Sequence, residues 1–167
     1  MANTATAQAQ VEARRARIAS LLDRPLDPAA AGEAELTDDQ FEFLVAEAQD
    51  LYFNELAWEE LTDEESVSGG HLTELVFPGF LAFIEALLND SAPDDSQVLA
   101  RPHPEVVEEL LVFLSEQHIE LAGKLERGVD SERIVWARVM TQSLIDLVLY
   151  RLHDLDDAER EVVEAAG

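Results

Sequence analysis

Apolar residues in this chain recur three and four positions apart along most segments, and no stretch sustains the one-in, one-out alternation of a strand. That spacing gathers them on one face of a helix. A chain of 167 residues is one domain's worth. No repeat at a fixed period is visible, so the expected fold is all-α, a single-domain bundle of four to five core helices with a short N-terminal helical arm.

Local signals divide the chain. Gln8 to Asp23 carries a narrow seam of Val11, Ile18, Leu21 and Leu22 and reads as a short first helix. Pro25, Pro28 and Gly32 then break it, and residues 1–36 are taken as the arm and its Pro/Ala/Gly linker. Thr37 followed by Gln40 is a capping-box pattern, strengthened by Asp38 and Asp39, and apolar spacing runs on to about Leu61. His71 to Asp90 is almost wholly apolar, and Pro78-Gly79 should kink or divide it, because proline removes an intrahelical hydrogen bond. Pro104 suits the first turn of a helix that runs to about Arg127 and stops at Gly128. Asp130 or Ser131 should cap the last long helix, reaching roughly His153. The bundle is therefore set at residues 37–153, and residues 154–167 form an acidic tail expected to be helical.

Charge limits what can surround this fold. There are 36 acidic residues against 11 basic ones, a net charge of −25, and Lys124 is the single lysine. In about 0.1 M salt, carboxylates repel one another over roughly 10 Å, whereas at about 1 M the screening length is roughly 3 Å. The composition resembles that of proteins from organisms that keep molar salt in the cytoplasm, as halophilic archaea do. A hydrophobic content of 47% still provides a core that a disordered acidic tail would lack. The charge is also uneven: residues 1–30 hold Arg14, Arg15, Arg17 and Arg24 against Glu12, Asp23 and Asp27, and the remainder has seven basic residues against 33 acidic ones. Direct nucleic-acid binding by the body is not expected, since phosphate would be repelled. Arg14, Arg15 and Arg17 form a basic arm that either touches phosphate or docks on an acidic surface.

Several chemistries find no support. Without cysteine there is no disulfide, thiolate metal site or cysteine nucleophile. Met1 to Gln10 has no basic start followed by an apolar stretch, so no secretory leader is expected, and the uncharged run from Leu75 to Ile84 is too short to cross a bilayer. A cytoplasmic location follows as the expectation. No Gly-x-Ser-x-Gly elbow and no phosphate-binding glycine loop occur. The residues three before the four histidines are Ser68, Ala100, Ser115 and Tyr150, so the Glu-x-x-His motif of di-metal bundles is absent. His71 with Glu74, or His153 with Asp156, share helix faces, but with so many acids such spacings arise by chance. No enzyme activity, resident metal or cofactor is expected.

Two features stand out from the rest. The helix from Asp38 carries two apolar seams, Phe41, Leu44, Ala48, Leu51, Glu55 and Trp58 on one side and Phe43, Ala46, Asp50, Phe53 and Ala57 on the other. Such a helix either lies between two layers, the simpler reading, or offers one seam to a partner. Glu55 interrupts the first seam, and His118 interrupts the apolar face of Val107, Leu110, Leu111, Leu114, Leu121 and Leu125. A buried carboxylate needs a partner, for which His118, Arg133 and Arg151 are available. A structural ion pair is the plain explanation, and a metal or small ligand held by Glu55 and His118 the alternative. The expectation is a non-catalytic protein-protein interaction or regulatory module that meets a protein partner or its own copy through Phe43, Ala46, Asp50, Phe53 and Ala57.

The charge generates a direct test. Helix content and melting temperature, followed by circular dichroism, should rise steeply as KCl is raised toward molar levels. A melt independent of salt would show that the carboxylates do not strain the fold.

Overall fold

The computed structural model describes residues 2–26, 36–57, 73–74, 76–88, 103–128 and 132–166. Among them are six helices and no strand: α1 (Ala2–Leu22), α2 (Asp38–Leu56), α3 (Pro78–Leu88), α4 (Pro104–Glu126), α5 (Glu132–Leu152) and α6 (Asp157–Ala165). The chain is an all-α helical bundle. Residues 27–35, most of the expected linker, lie outside the described residues, as do Trp58, Leu61, His71, Asp130 and Ser131.

Helix ends follow from local chemistry. Thr37 accepts from the Gln40 amide at 3.1 Å, and the Gln40 side chain accepts from the Thr37 amide at 2.9 Å, completing the expected capping box. A second box, Asp156 with Glu159, starts α6. Pro78 and Pro104 occupy first-turn positions where no amide is needed. Gly128, at φ +81°, follows the end of α4. Asp23 and Asp154, each at φ 53°, take the same left-handed position after α1 and α5. There the amides of Arg24 and Leu155 reach back to the carbonyls of Ala19 (3.1 Å) and Tyr150 (2.9 Å), closing Schellman caps. Aspartate tolerates this conformation better than branched residues do, so an acid-rich chain can use it where glycine is usual. Helix α1 begins at Ala2 rather than near Gln8: alanines at positions 2, 5, 7 and 9 favour helix without forming an apolar seam.

The central pair is α4 and α5, whose buried faces include Val107, Leu110, Leu111 and Leu114 on one and Met140, Leu144 and Val148 on the other. Helices α2 and α3 pack on each other and on α4, with α3 also reaching α5. Helix α1 lies along α4 and meets α6. Val11, Ile18 and Leu26 belong to the same buried cluster as the central pair, so residues 2–26 form a layer of the bundle. Burial of these side chains supplies the stabilisation, at about 1.5–3 kcal/mol for each large apolar group fully withdrawn from water.

An aromatic group fixes the position of α2. Tyr52, fully buried, stacks on Phe77 at 5.6 Å between ring centres and meets Phe113 and Phe80 edge to face at 5.4 and 6.4 Å. Its hydroxyl shares a 2.8 Å hydrogen bond with Thr141 Oγ1 on α5, and burial pushes its pKa up to about 12. Tyr52→Phe should therefore leave the Thr141 hydroxyl buried without that partner and lower the unfolding free energy in denaturant by about 1–2 kcal/mol. Adding Thr141→Val should recover most of the loss, since both polar partners are then gone.

Candidate functional site

Helix α2 separates its two seams cleanly. Leu44, Ala48 and Tyr52 are buried and Phe41, Leu51 and Glu55 partly so, whereas Phe43, Ala46, Asp50, Phe53 and Ala57 are all exposed. The helix is thus not enclosed between two layers. Phe43 is 61% exposed and Phe53 48%, two of the five large apolar side chains that stand out to solvent among the described residues. Exposed aromatics on one line are unusual, because ordinary folding would turn them inward. The two differ in attachment. Phe53 meets Tyr52 and Phe113 edge to face at 5.2 and 5.7 Å, so it closes the rim between α2 and α4, while Phe43 stands a full ten residues away toward the N-terminus.

Carboxylates belong to the same face. Asp39 precedes Phe43 in the same register of threes and fours, and Glu42 and Glu47 border the line. All three are exposed. In the sequence Asp39 signals only the helix start, yet extending the register by four residues from Phe43 reaches it.

The groups picked out in the core do not converge. Glu55 accepts hydrogen bonds from the Gly79 and Phe80 amides, both at 2.7 Å, and so caps the N-terminus of α3 with its negative charge against the positive helix end. A Cβ at position 79 would lie 2.9 Å from Glu55 Oε2, which accounts for the glycine. Arg133 donates to the Leu56 carbonyl at 2.5 Å, placing a cation at the C-terminus of α2. Arg151 binds Glu85 at 2.6 Å. The buried pair expected for Glu55 is thus replaced by backbone: Glu55 serves one helix end and Arg133 another. His118 is half-buried near Arg138 and Arg14.

The three arginines of α1, and Arg24 just after it, all turn to the chain itself. Arg14 forms a two-pronged pair with Asp146 of α5, its Nη2 at 2.7 Å from Oδ2. Arg15, 4% exposed, donates through Nη2 to Glu108 of α4 at 2.5 Å, through Nη1 to Glu12, and through Nε to His153 Nε2 at 2.9 Å. Arg24 binds Glu159 of α6 at 2.6 Å, and Arg17, exposed, reaches the Ala166 carbonyl at 3.4 Å. Three of the four are held in ion pairs, and Arg17 by a backbone carbonyl.

Two grooves flank this helix. One, about 580 Å³, lies among α1, α5 and α6 and is lined by Arg14, Arg17, Asp146 and Tyr150. The other, about 390 Å³, lies between α1 and α4 beside Glu12, Glu105, Glu108 and Glu109. Among the described residues no group of three or more His, Cys, Asp or Glu side chains is arranged to hold a metal ion. His153 and Asp156, whose spacing alone would suit a metal, bind Arg15 and cap α6 respectively. No helix among these residues is long and apolar enough to cross a membrane.

Burial first, and then the positive charges of Arg138 and Arg14, push the His118 pKa below its ordinary value of 6.5. The unfolded chain takes up a proton near that ordinary value while the folded one resists it. Folding stability from this group is therefore intact above pH 6.5 and is lost as pH falls toward the lower folded pKa. His118→Leu should gain on the native chain in denaturant midpoint between pH 7 and pH 5, whatever both do in absolute terms. Parallel curves across that range would place His118 in an ordinary aqueous setting.

No family model matches this chain, and neither a curated protein nor a solved structure matches it.

Proposed function

We propose that this protein is a non-catalytic helical interaction module, adapted to molar salt, whose contact surface is the outward face of α2. One observation carries the reading: Phe43 and Phe53 stand 61% and 48% exposed on one helix face while the opposite seam of the same helix is buried. Leaving about half of each ring in water forgoes roughly 1–2 kcal/mol for each, which a contact with another molecule recovers. The hydrogen-bonded core supports the same view, because Glu55, Arg133 and Arg15 are engaged in holding helices together. A ligand held by Glu55 and His118 has correspondingly less support, since the Glu55 carboxylate already accepts two backbone amides.

A photoreactive phenylalanine analogue at position 43 tests the reading in an extract of the protein's own cells at native salt. Position 162 serves as control, because Val162 is also 48% exposed but lies on α6. The expected outcome is a discrete adduct, to a partner or to a second copy, from position 43 and none from position 162. Equal labelling from both positions, or none from 43, rejects α2 as the contact surface.

A further inference from the structure

The charge around the exposed phenylalanines specifies what would cover them. Helix α2 contains Asp38, Asp39, Glu42, Glu47, Asp50 and Glu55 and no basic residue. Of these, Glu55 is turned to the amides of α3. Asp39, Glu42, Glu47 and Asp50 remain exposed on or beside the line of Phe43, Ala46, Phe53 and Ala57. Elsewhere four arginines, Arg14, Arg15, Arg24 and Arg151, pair with acids of the other helices: Glu12, Glu85, Glu108, Asp146 and Glu159. Among the described residues none of the ion pairs reaches α2.

Resting on the reading of this face as the contact surface, we infer that its occupant is a basic amphipathic helix of another protein and not a second copy of this chain. A second copy could set Phe43 against Phe53 and Ala46 against Asp50 in an antiparallel pair. That register gathers Glu42, Glu47 and Asp50 from both copies along one seam to which α2 itself brings no cation. Like charges so placed oppose association, and molar salt does not remove the opposition at contact, because its screening length is still roughly 3 Å. A helix with apolar anchors and flanking arginines reverses the sign. Phe43 and Phe53 are ten residues apart, so their anchors lie about 15 Å apart along the axis, close to three turns. Arginine forks reaching Glu42, Glu47 and Asp50 form contact pairs that survive screening better than distant charges do. The recognition is helix against helix, with phenylalanine for affinity and carboxylate for choice of partner.

The test uses the full chain in molar KCl and two labelled synthetic helical peptides that share one Leu/Ala face, one flanked by arginine and the other by glutamine. Fluorescence anisotropy should show the arginine peptide binding about tenfold more tightly than the glutamine peptide. Phe43→Ser should weaken the arginine peptide by about tenfold with an unchanged thermal melt, because that ring is mostly in solvent. The triple variant E42Q/E47Q/D50N should bring the two peptides to equal affinity. Light scattering should show a monomer. If the two peptides bind alike to the native chain, or if the triple variant still prefers arginine, the basic partner is rejected. A dimer that Phe43→Ser dissolves would assign the face to a second copy, overturning this inference while leaving α2 as the contact surface. Indifference of every measurement to Phe43→Ser would overturn both.

Discussion

Arg15 is the point on which the arrangement turns. Its guanidinium is withdrawn from water, 4% exposed, and a cation in that position is tolerated only when its donors are matched by acceptors. Glu12 comes from its own helix, Glu108 from α4, and His153 from the end of α5. One side chain therefore ties the first helix to both members of the central pair. The apolar seam of α1 is narrow, with Ala7, Val11 and Ile18 as its fully buried members, and would not by itself set the helix's rotation on α4. Breaking one partner of such a group leaves another charge buried without compensation, which costs more than the intact network contributes.

That use of arginine follows from scarcity. With 11 basic residues against 36 acidic ones, cations are few, and six of them take places between elements. Arg14 and Arg15 on α1 and Arg24 just beyond it serve the junctions with α4, α5 and α6; Arg151 joins α5 to α3, and Arg133 closes the end of α2. Each lies where two elements meet. Helix α2 is instead positioned without an ion pair: by the Tyr52 ring cluster, the Tyr52–Thr141 hydrogen bond, the Glu55 carboxylate on the α3 amides and Arg133 on the Leu56 carbonyl. Among the described residues no ion pair reaches its outward carboxylates.

How much could be read from the sequence depended on how local each cause was. The Thr37/Gln40 box, the prolines at 78 and 104 and the stop at Gly128 are each decided within a few residues, and they appear where expected. The Asp23 and Asp154 caps escaped notice because aspartate does not announce a left-handed backbone as glycine does. Glu55 was recognised as an anomaly, but its partners are amides 24 and 25 residues onward, and amides carry no sequence signature. The spacing of α2 revealed both of its faces; which one faced water was decided by Tyr52, whose rings and hydroxyl pull its side toward α4 and α5.

Salt then divides the electrostatics into two classes. Pairs at 2.5 to 3.0 Å, such as Arg15 with Glu108 and Arg14 with Asp146, lie within even the roughly 3 Å screening length of molar salt, and their partial burial excludes ions further. The self-repulsion of the many exposed carboxylates acts over longer distances and is removed. High salt consequently suppresses the unfavourable part of the charge while leaving most of the favourable part in place. The same filter applies at the surface of α2: an approaching molecule gains little from the overall field of −25 and must make its pairs by direct contact. On the proposed reading of α2 as a contact surface in molar salt, acidity alone would not make that surface sticky to every cation, and geometry between carboxylate and exposed phenylalanine would be the means of choosing a partner.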